Sequence, residues 1–145
     1  MLKTGCVNPE IIAALSKCGH GDKVLIGSGN FPMESQTNPQ AERIYMNLSP
    51  GLPTSSQVLE ALLHLINAEG AEVICPPDMQ GEPEVFLDYK NLLEKVELKK
   101  YSRDEFYEAC RSGSVRVVIE SADQRAFSNI LLTVGVVRQG TVSTI

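Results

Sequence analysis

The run Gly19-His20-Gly21-Asp22 holds one of only two histidines in the chain, set between two glycines. It falls where an apolar helical pattern stops and a buried strand begins. Upstream, Asn8 is placed to cap a helix and Pro9 to take its first position, where a missing N–H costs nothing. Ile11, Ile12, Leu15 and Cys18 recur at helical spacing, and Gly19 is expected to supply a left-handed stop. Downstream, Val24-Leu25-Ile26, bounded by Gly27 and Gly29, reads as an interior strand. His20 is therefore predicted on a tight connector at the rim of a rigid element. An imidazole there can reach a ligand and exchange a proton with it. A turn histidine that meets only solvent has the same local sequence.

Other reactive residue types form weaker patterns. His64 projects from the polar face of its predicted helix and reads as solvent-exposed, which leaves no histidine pair for a metal. Gly27-Ser28-Gly29-Asn30 follows a strand but runs into Phe31-Pro32 instead of a helix. It reads as a tight turn, not as a nucleophile elbow or a phosphate loop. Arg103 opens a predicted helix against the macrodipole, a placement shared by functional and merely exposed cations. Residues 121–129 form a polar loop between two apolar strands, where α/β proteins place ligands and where plain solvation of a connection is the alternative.

The 145 residues suffice for one domain with a real core, and 43% hydrophobic with 21% charged residues is ordinary for a globular protein. A net charge of −5 argues against nucleic acid as a partner. Cys6, Cys18, Cys75 and Cys110 show no CxxC spacing and read as reduced thiols, neither disulfides nor a zinc site. With no apolar leader and no long apolar span, the expectation is a cytoplasmic protein with no membrane partner.

The elements that must position these groups alternate along the chain. Helices are expected over 9–18, 55–67, 84–95 and 103–111, the last opened by a Ser102/Glu105 capping box. Strands are expected over 23–27, 42–48, 71–75, 115–119 and 130–134, with a frayed tail over 138–145. Helices alternating with apolar strands indicate one α/β domain spanning 1–145, its sheet covered by helices.

Taken in order, several segments resemble the D-ribose pyranase and L-fucose mutarotase (RbsD/FucU) family. They are Gly19-His20-Gly21-Asp22, Asn30-Phe31-Pro32, Gly51-Leu52-Pro53 leading into Gln57-Val58-Leu59, Arg103 with Phe106-Tyr107-Glu108, and Asn129-Ile130-Leu131-Leu132 with Gly135-Val136. The likeness covers nearly the whole chain. The details around His20, Asn30-Phe31-Pro32 and Arg103 look more like the fucose branch than the ribose branch.

The resemblance implies a single three-layer α/β/α domain with a mixed sheet. It implies an isomerase that interconverts the anomers or ring forms of fucose, ribose or a related aldose, without metal or organic cofactor. It also implies a ring-shaped homo-oligomer, commonly a decamer, with monosaccharide sites between neighbouring subunits. His20 matches the family's catalytic histidine, and Arg103 matches a sugar-contacting basic position. Phe127, Ser128 and Asn129 match the loop that closes the pocket, and Ser28 also falls in it. Three positions depart from the family pattern. Ser28 stands where an aspartate is usual, Phe127 where a tyrosine is usual, and Tyr45 replaces another aspartate. A non-catalytic monosaccharide-binding protein that kept the pocket is the alternative reading, and a purely structural oligomer is a third.

Overall fold

Asn8 accepts a hydrogen bond from the Ile11 N–H at 2.9 Å, and Pro9 takes the first position of helix α1, Pro9–Ser16. The chain is described by a computed structural model over residues 1–140. Of the tail expected to fray, residues 141–145 lie outside the described ones, and 138–140 are exposed. After α1 come β1 (Lys23–Gly27), β2 (Glu42–Tyr45), α2 (Ser55–Leu62), β3 (Ala68–Ile74) and α3 (Val85–Leu93). The chain continues through β4 (Leu98–Tyr101), α4 (Arg103–Cys110), β5 (Val115–Glu120) and β6 (Ile130–Val134).

The six strands form one mixed sheet in the order β2-β5-β1-β6-β3-β4. Strands β2, β5 and β1 pair in parallel, as do β3 and β4, and β6 runs antiparallel between β1 and β3. Successive strand residues point to opposite faces, which divides the core in two. Val24 and Ile26 join Leu59, Phe86 and Tyr89 beneath α1, α2 and α3. Leu25, Val118 and Leu131 meet Phe106 and Cys110 of α4, with Phe31 and Met33 from the long loop after β1. The result is the expected α/β/α sandwich with a mixed sheet, three helices on one face and one on the other. Full burial of each such Leu, Ile or Phe contributes about 1.5–3 kcal/mol.

Several boundaries differ from the sequence reading. The left-handed residue in the first turn is Gly21, with φ of 90°, and not Gly19. Helix α2 ends at Leu62 instead of running to 67, because the chain must turn to enter β3. Leu65 and Ile66 still pack against the core from that turn, which is why the apolar pattern runs on. Gly70 lies inside β3, where an added Cβ would come within 3.2 Å of the Thr133 Oγ1. The edge strand β4 was not anticipated, since two of its four residues are exposed lysines.

Candidate functional site

The Gly-His-Gly-Asp turn closes on itself. The Asp22 carboxylate accepts the Gly19 N–H at 2.8 Å, and Gly21 donates its N–H to the Val134 carbonyl at 2.9 Å. The turn is thereby fixed to the end of β6, and His20 projects from it with 60% of its side chain exposed. Its Nε2 lies 2.9 Å from both carboxylate oxygens of Glu69, near the start of β3. A carboxylate accepts from Nε2–H, and this leaves Nδ1 as the ring's lone-pair nitrogen. Nothing in the local sequence points to Glu69, because 49 residues separate the pair.

A cleft of about 270 Å³ opens at the other end of the sheet. The carboxyl ends of β1 and β3, the first turns of α4 and the loop entering β6 all meet there. Antiparallel β6 is what brings residues 121–129 to this edge. Ser28, Arg103, Phe127 and Asn129 line the cleft together with Phe31 and Tyr107. Phe31 holds the post-β1 loop against α4, packing edge-on against Tyr107 and Phe106 at centroid distances of 5.4 and 6.1 Å. Gly27 makes that fold-back possible, since a Cβ there would meet Phe31 and the Met33 sulfur at 3.0 Å. The Ser28 N–H donates to the Asn129 Oδ1 at 2.7 Å, which directs the Asn129 amide NH₂ towards the cleft as a donor.

Four of the five residues expected to bind the ligand therefore line one cleft. Ser128 is the exception: its hydroxyl is buried and donates to the Arg125 carbonyl at 2.7 Å, so the side chain holds the loop. His20 is not near them within one chain. It precedes β1 and Ser28 follows it, and the strand alone separates them by roughly 15 Å at about 3.3 Å per residue. Tyr45 does not line the cleft. Half-exposed at the end of edge strand β2, it directs its hydroxyl to Glu34.

The loop over 121–129 is not simply solvated, as the composition allowed. Ser121, Asp123 and Ser128 are almost completely buried. Asp123 accepts from the Ser55 N–H and hydroxyl at 2.9 Å, and from Arg125 Nε and Nη2 at 3.1 and 2.8 Å. Arg125 also reaches Asp88 at 2.8 Å and the Ser56 hydroxyl at 2.9 Å, tying the loop to α3 and the start of α2. Burial alone would raise the Asp123 carboxyl, but its hydrogen bonds from Arg125 and Ser55 together outweigh that and hold it at about 2. Burial pushes the Tyr89 hydroxyl, hydrogen-bonded to Ser55 at 2.8 Å, in the opposite direction, well above its usual range. This network holds Phe127 at a left-handed φ of 58°, a conformation that costs a non-glycine residue on the order of 1–3 kcal/mol.

A model of the RbsD / FucU transport protein family matches residues 1–137. The chain belongs to this family. The D-ribose pyranase of Thermosipho africanus is 33% identical over 137 residues, which span 94% of this chain and 99% of that protein. Among solved structures, Bacillus subtilis RbsD complexed with D-ribose superposes with a TM-score of 0.81 at 23% identity, over 95% of this chain and 100% of its own. Fucose mutarotase from Streptococcus pneumoniae, in complex with L-fucose, gives a TM-score of 0.75 at 19% identity, over 91% and 95%. The two superpositions show that the RbsD / FucU fold is shared.

Among the described residues, no group of three or more His, Cys, Asp or Glu side chains is placed to hold a metal ion. None of their helices is long and apolar enough to cross a membrane. The four cysteines are free, and burial pushes the Cys110 thiol up to about 12.

Proposed function

We propose that this RbsD / FucU family member is a monosaccharide mutarotase or pyranase, and that each site is built from two copies of the chain. The cleft carries the reading. Its volume of about 270 Å³ suits one monosaccharide and falls below the roughly 300–1,000 Å³ typical of larger ligands. Groups that bond hydroxyls line it, with an aromatic ring beside them. Relatives named as ribose pyranases and a fold neighbour named as a fucose mutarotase support the same substrate class.

Anomers interconvert through the open-chain aldehyde, so the anomeric hydroxyl loses a proton as the ring oxygen gains one, and no net proton is consumed. His20 of a neighbouring copy is the proposed acid/base catalyst, with Nδ1 facing the sugar and Glu69 fixing the tautomer. Such positioned catalysis typically contributes about 10²–10⁴-fold. Arg103 and Asn129 hold hydroxyls, Ser28 and Phe127 line the pocket, and Ser128 acts through the loop. Free thiols fit a reducing compartment, and the reading takes the protein as cytoplasmic. The fucose-like details at His20, Asn30-Phe31-Pro32 and Arg103 favour the fucose side of the family, while the relatives at 29% and 33% identity bear the ribose name. Both sugars therefore belong in the test.

Loss of the usual aspartate at Ser28 and the usual tyrosine at Phe127 favours one other reading, a sugar-binding protein without turnover. Saturation-transfer NMR separates the two. Exchange between anomer signals of L-fucose or D-ribose at catalytic protein levels is expected, and line broadening without exchange would indicate a binder. His20→Ala should abolish exchange and leave the melting temperature nearly unchanged, because an exposed turn residue contributes little packing. Collapse of the fold along with activity would make the histidine structural.

A further inference from the structure

The cleft carries positive charge without a carboxylate on its own wall. Two arginines, Arg103 and Arg125, line it, and no aspartate or glutamate does, although the chain as a whole carries a charge of −5. The Arg125 guanidinium is matched by Asp88 and Asp123. Arg103 is exposed on the first turn of α4, and among the described residues its guanidinium has neither a carboxylate partner nor a hydrogen bond. Glu105, in the same turn, is engaged with the Ser102 N–H at 2.9 Å and does not reach it. Asn30, Gln124 and the Tyr107 hydroxyl also line the cleft as uncharged groups that both donate and accept. The Asn129 Oδ1 is taken by the Ser28 N–H, and the Ser28 Oγ accepts the Asn30 N–H at 3.3 Å. The Asn129 amide, the Ser28 hydroxyl and Arg103 are thus left to donate. These uncharged groups suit the hydroxyls of a sugar, and the Arg103 guanidinium is left without a matching negative charge on the cleft wall. A sugar that also carries a negative charge matches the wall better.

We propose that the cleft takes an aldose bearing an anionic group, a carboxylate or a phosphate, with the Arg103 guanidinium holding that group. The proposal rests on the reading of this cleft as the monosaccharide site and specifies its substrate class. A planar guanidinium presents a two-pronged donor to either anion.

Matched pairs of sugars test it: D-galactose against D-galacturonate, and D-glucose against D-glucose 6-phosphate, with anomer exchange followed by saturation transfer. The anionic member of at least one pair should exchange about ten- to a hundredfold faster than its neutral twin. The pair that shows the advantage tells carboxylate from phosphate. Arg103→Gln should collapse that ratio towards one, and Ser28→Asp, which puts a carboxylate into the cleft, should reverse it. Neutral twins exchanging as fast as or faster than the anionic ones overturn the proposal and leave the mutarotase reading standing. If no sugar exchanges, the mutarotase reading falls and calorimetry decides the proposal. Binding of galacturonate or glucose 6-phosphate that is lost in Arg103→Gln supports it, and absence of such binding overturns it. An assembly that dissociates in Arg103→Gln, seen by light scattering, would make this arginine an interface ion pair and also overturn it.

Discussion

Asp123 shows how a single buried charge can shape this site. It does not line the cleft, yet its carboxylate fixes the loop that presents Phe127 and Asn129. Hydrogen bonds from Arg125 and Ser55 overcome the burial that would raise it, and the carboxyl is held at about 2, below its ordinary unfolded value near 3.9. A depressed carboxylate stabilises the fold fully above the unfolded value, and that contribution is lost as pH falls towards the folded one. The linkage amounts to about 2–3 kcal/mol at neutral pH. Asp123→Asn should therefore lower the melting temperature at pH 7 by roughly 5–10 °C, given about 2–4 °C per kcal/mol at this chain length. The gap from the wild type should narrow between pH 4 and pH 2. Thermal unfolding followed by circular dichroism across that range checks it, and a gap independent of pH would show that the charge is not what matters. Sequence reading identified the loop and missed this network, because Asp123, Asp88 and Ser55 come from three distant segments. Each of these residues looks like an ordinary surface residue until the chain folds.

At the scale of elements, legibility followed periodicity and capping. Helix α4 was readable to within one residue because Ser102 and Glu105 cap each other reciprocally, the Ser102 Oγ accepting the Glu105 N–H at 3.2 Å. The interior strands β1, β5 and β6 were readable because both faces of each are buried, which forces continuous apolar runs. Strand β4 was not, since an edge strand with one neighbour and two exposed lysines carries neither an apolar run nor alternation. The end of α2 was misplaced for a different reason: burial continues through the following turn while the helical hydrogen bonds stop. The capped start of α4 also bears on the site, because Arg103 occupies its first turn. Ser102→Ala should cost about 1 kcal/mol, or roughly 2–4 °C, and fray that turn. On the proposed reading, in which Arg103 binds and His20 does the chemistry, the Michaelis constant for the preferred sugar should then rise more than the turnover number falls. Differential scanning fluorimetry with saturation-transfer kinetics measures both, and an unchanged Michaelis constant would separate Arg103 from binding.

The two ends of the molecule are complementary in what they lack. One has an imidazole with a free Nδ1 and no pocket around it, and the other has a sugar-sized cleft lined by no histidine, aspartate or glutamate of the same chain. Apolar side chains are exposed towards both ends: Val136 and Val137 follow β6 on the histidine side, and Leu48 and Leu52 lie in the β2–α2 connection near the cleft. A head-to-tail contact that places the histidine end of one copy on the cleft end of the next would cover both sets. Contacts of this heterologous kind generate closed rings when the rotation closes. The ring-shaped assembly, a decamer in the family resemblance, is therefore part of the same proposal, and light scattering should report a species far above the 15.8 kDa of one chain. Mixed assemblies give a sharper test. His20→Ala removes the proposed catalyst from one end and Asn129→Ala the proposed sugar contact from the other, so each variant alone should be nearly inactive. In a ring reassembled from equal amounts of the two, a site is intact when an Asn129→Ala copy supplies His20 to the cleft of a His20→Ala copy. Random mixing makes this so for about a quarter of sites, and activity should return to roughly that fraction of the wild type. Recovery of anomer exchange only after dissociation and reassembly, and not on simple mixing of the intact rings, would require two chains at every site. No recovery in rings shown to be mixed would mean that His20 and Asn129 serve no common site.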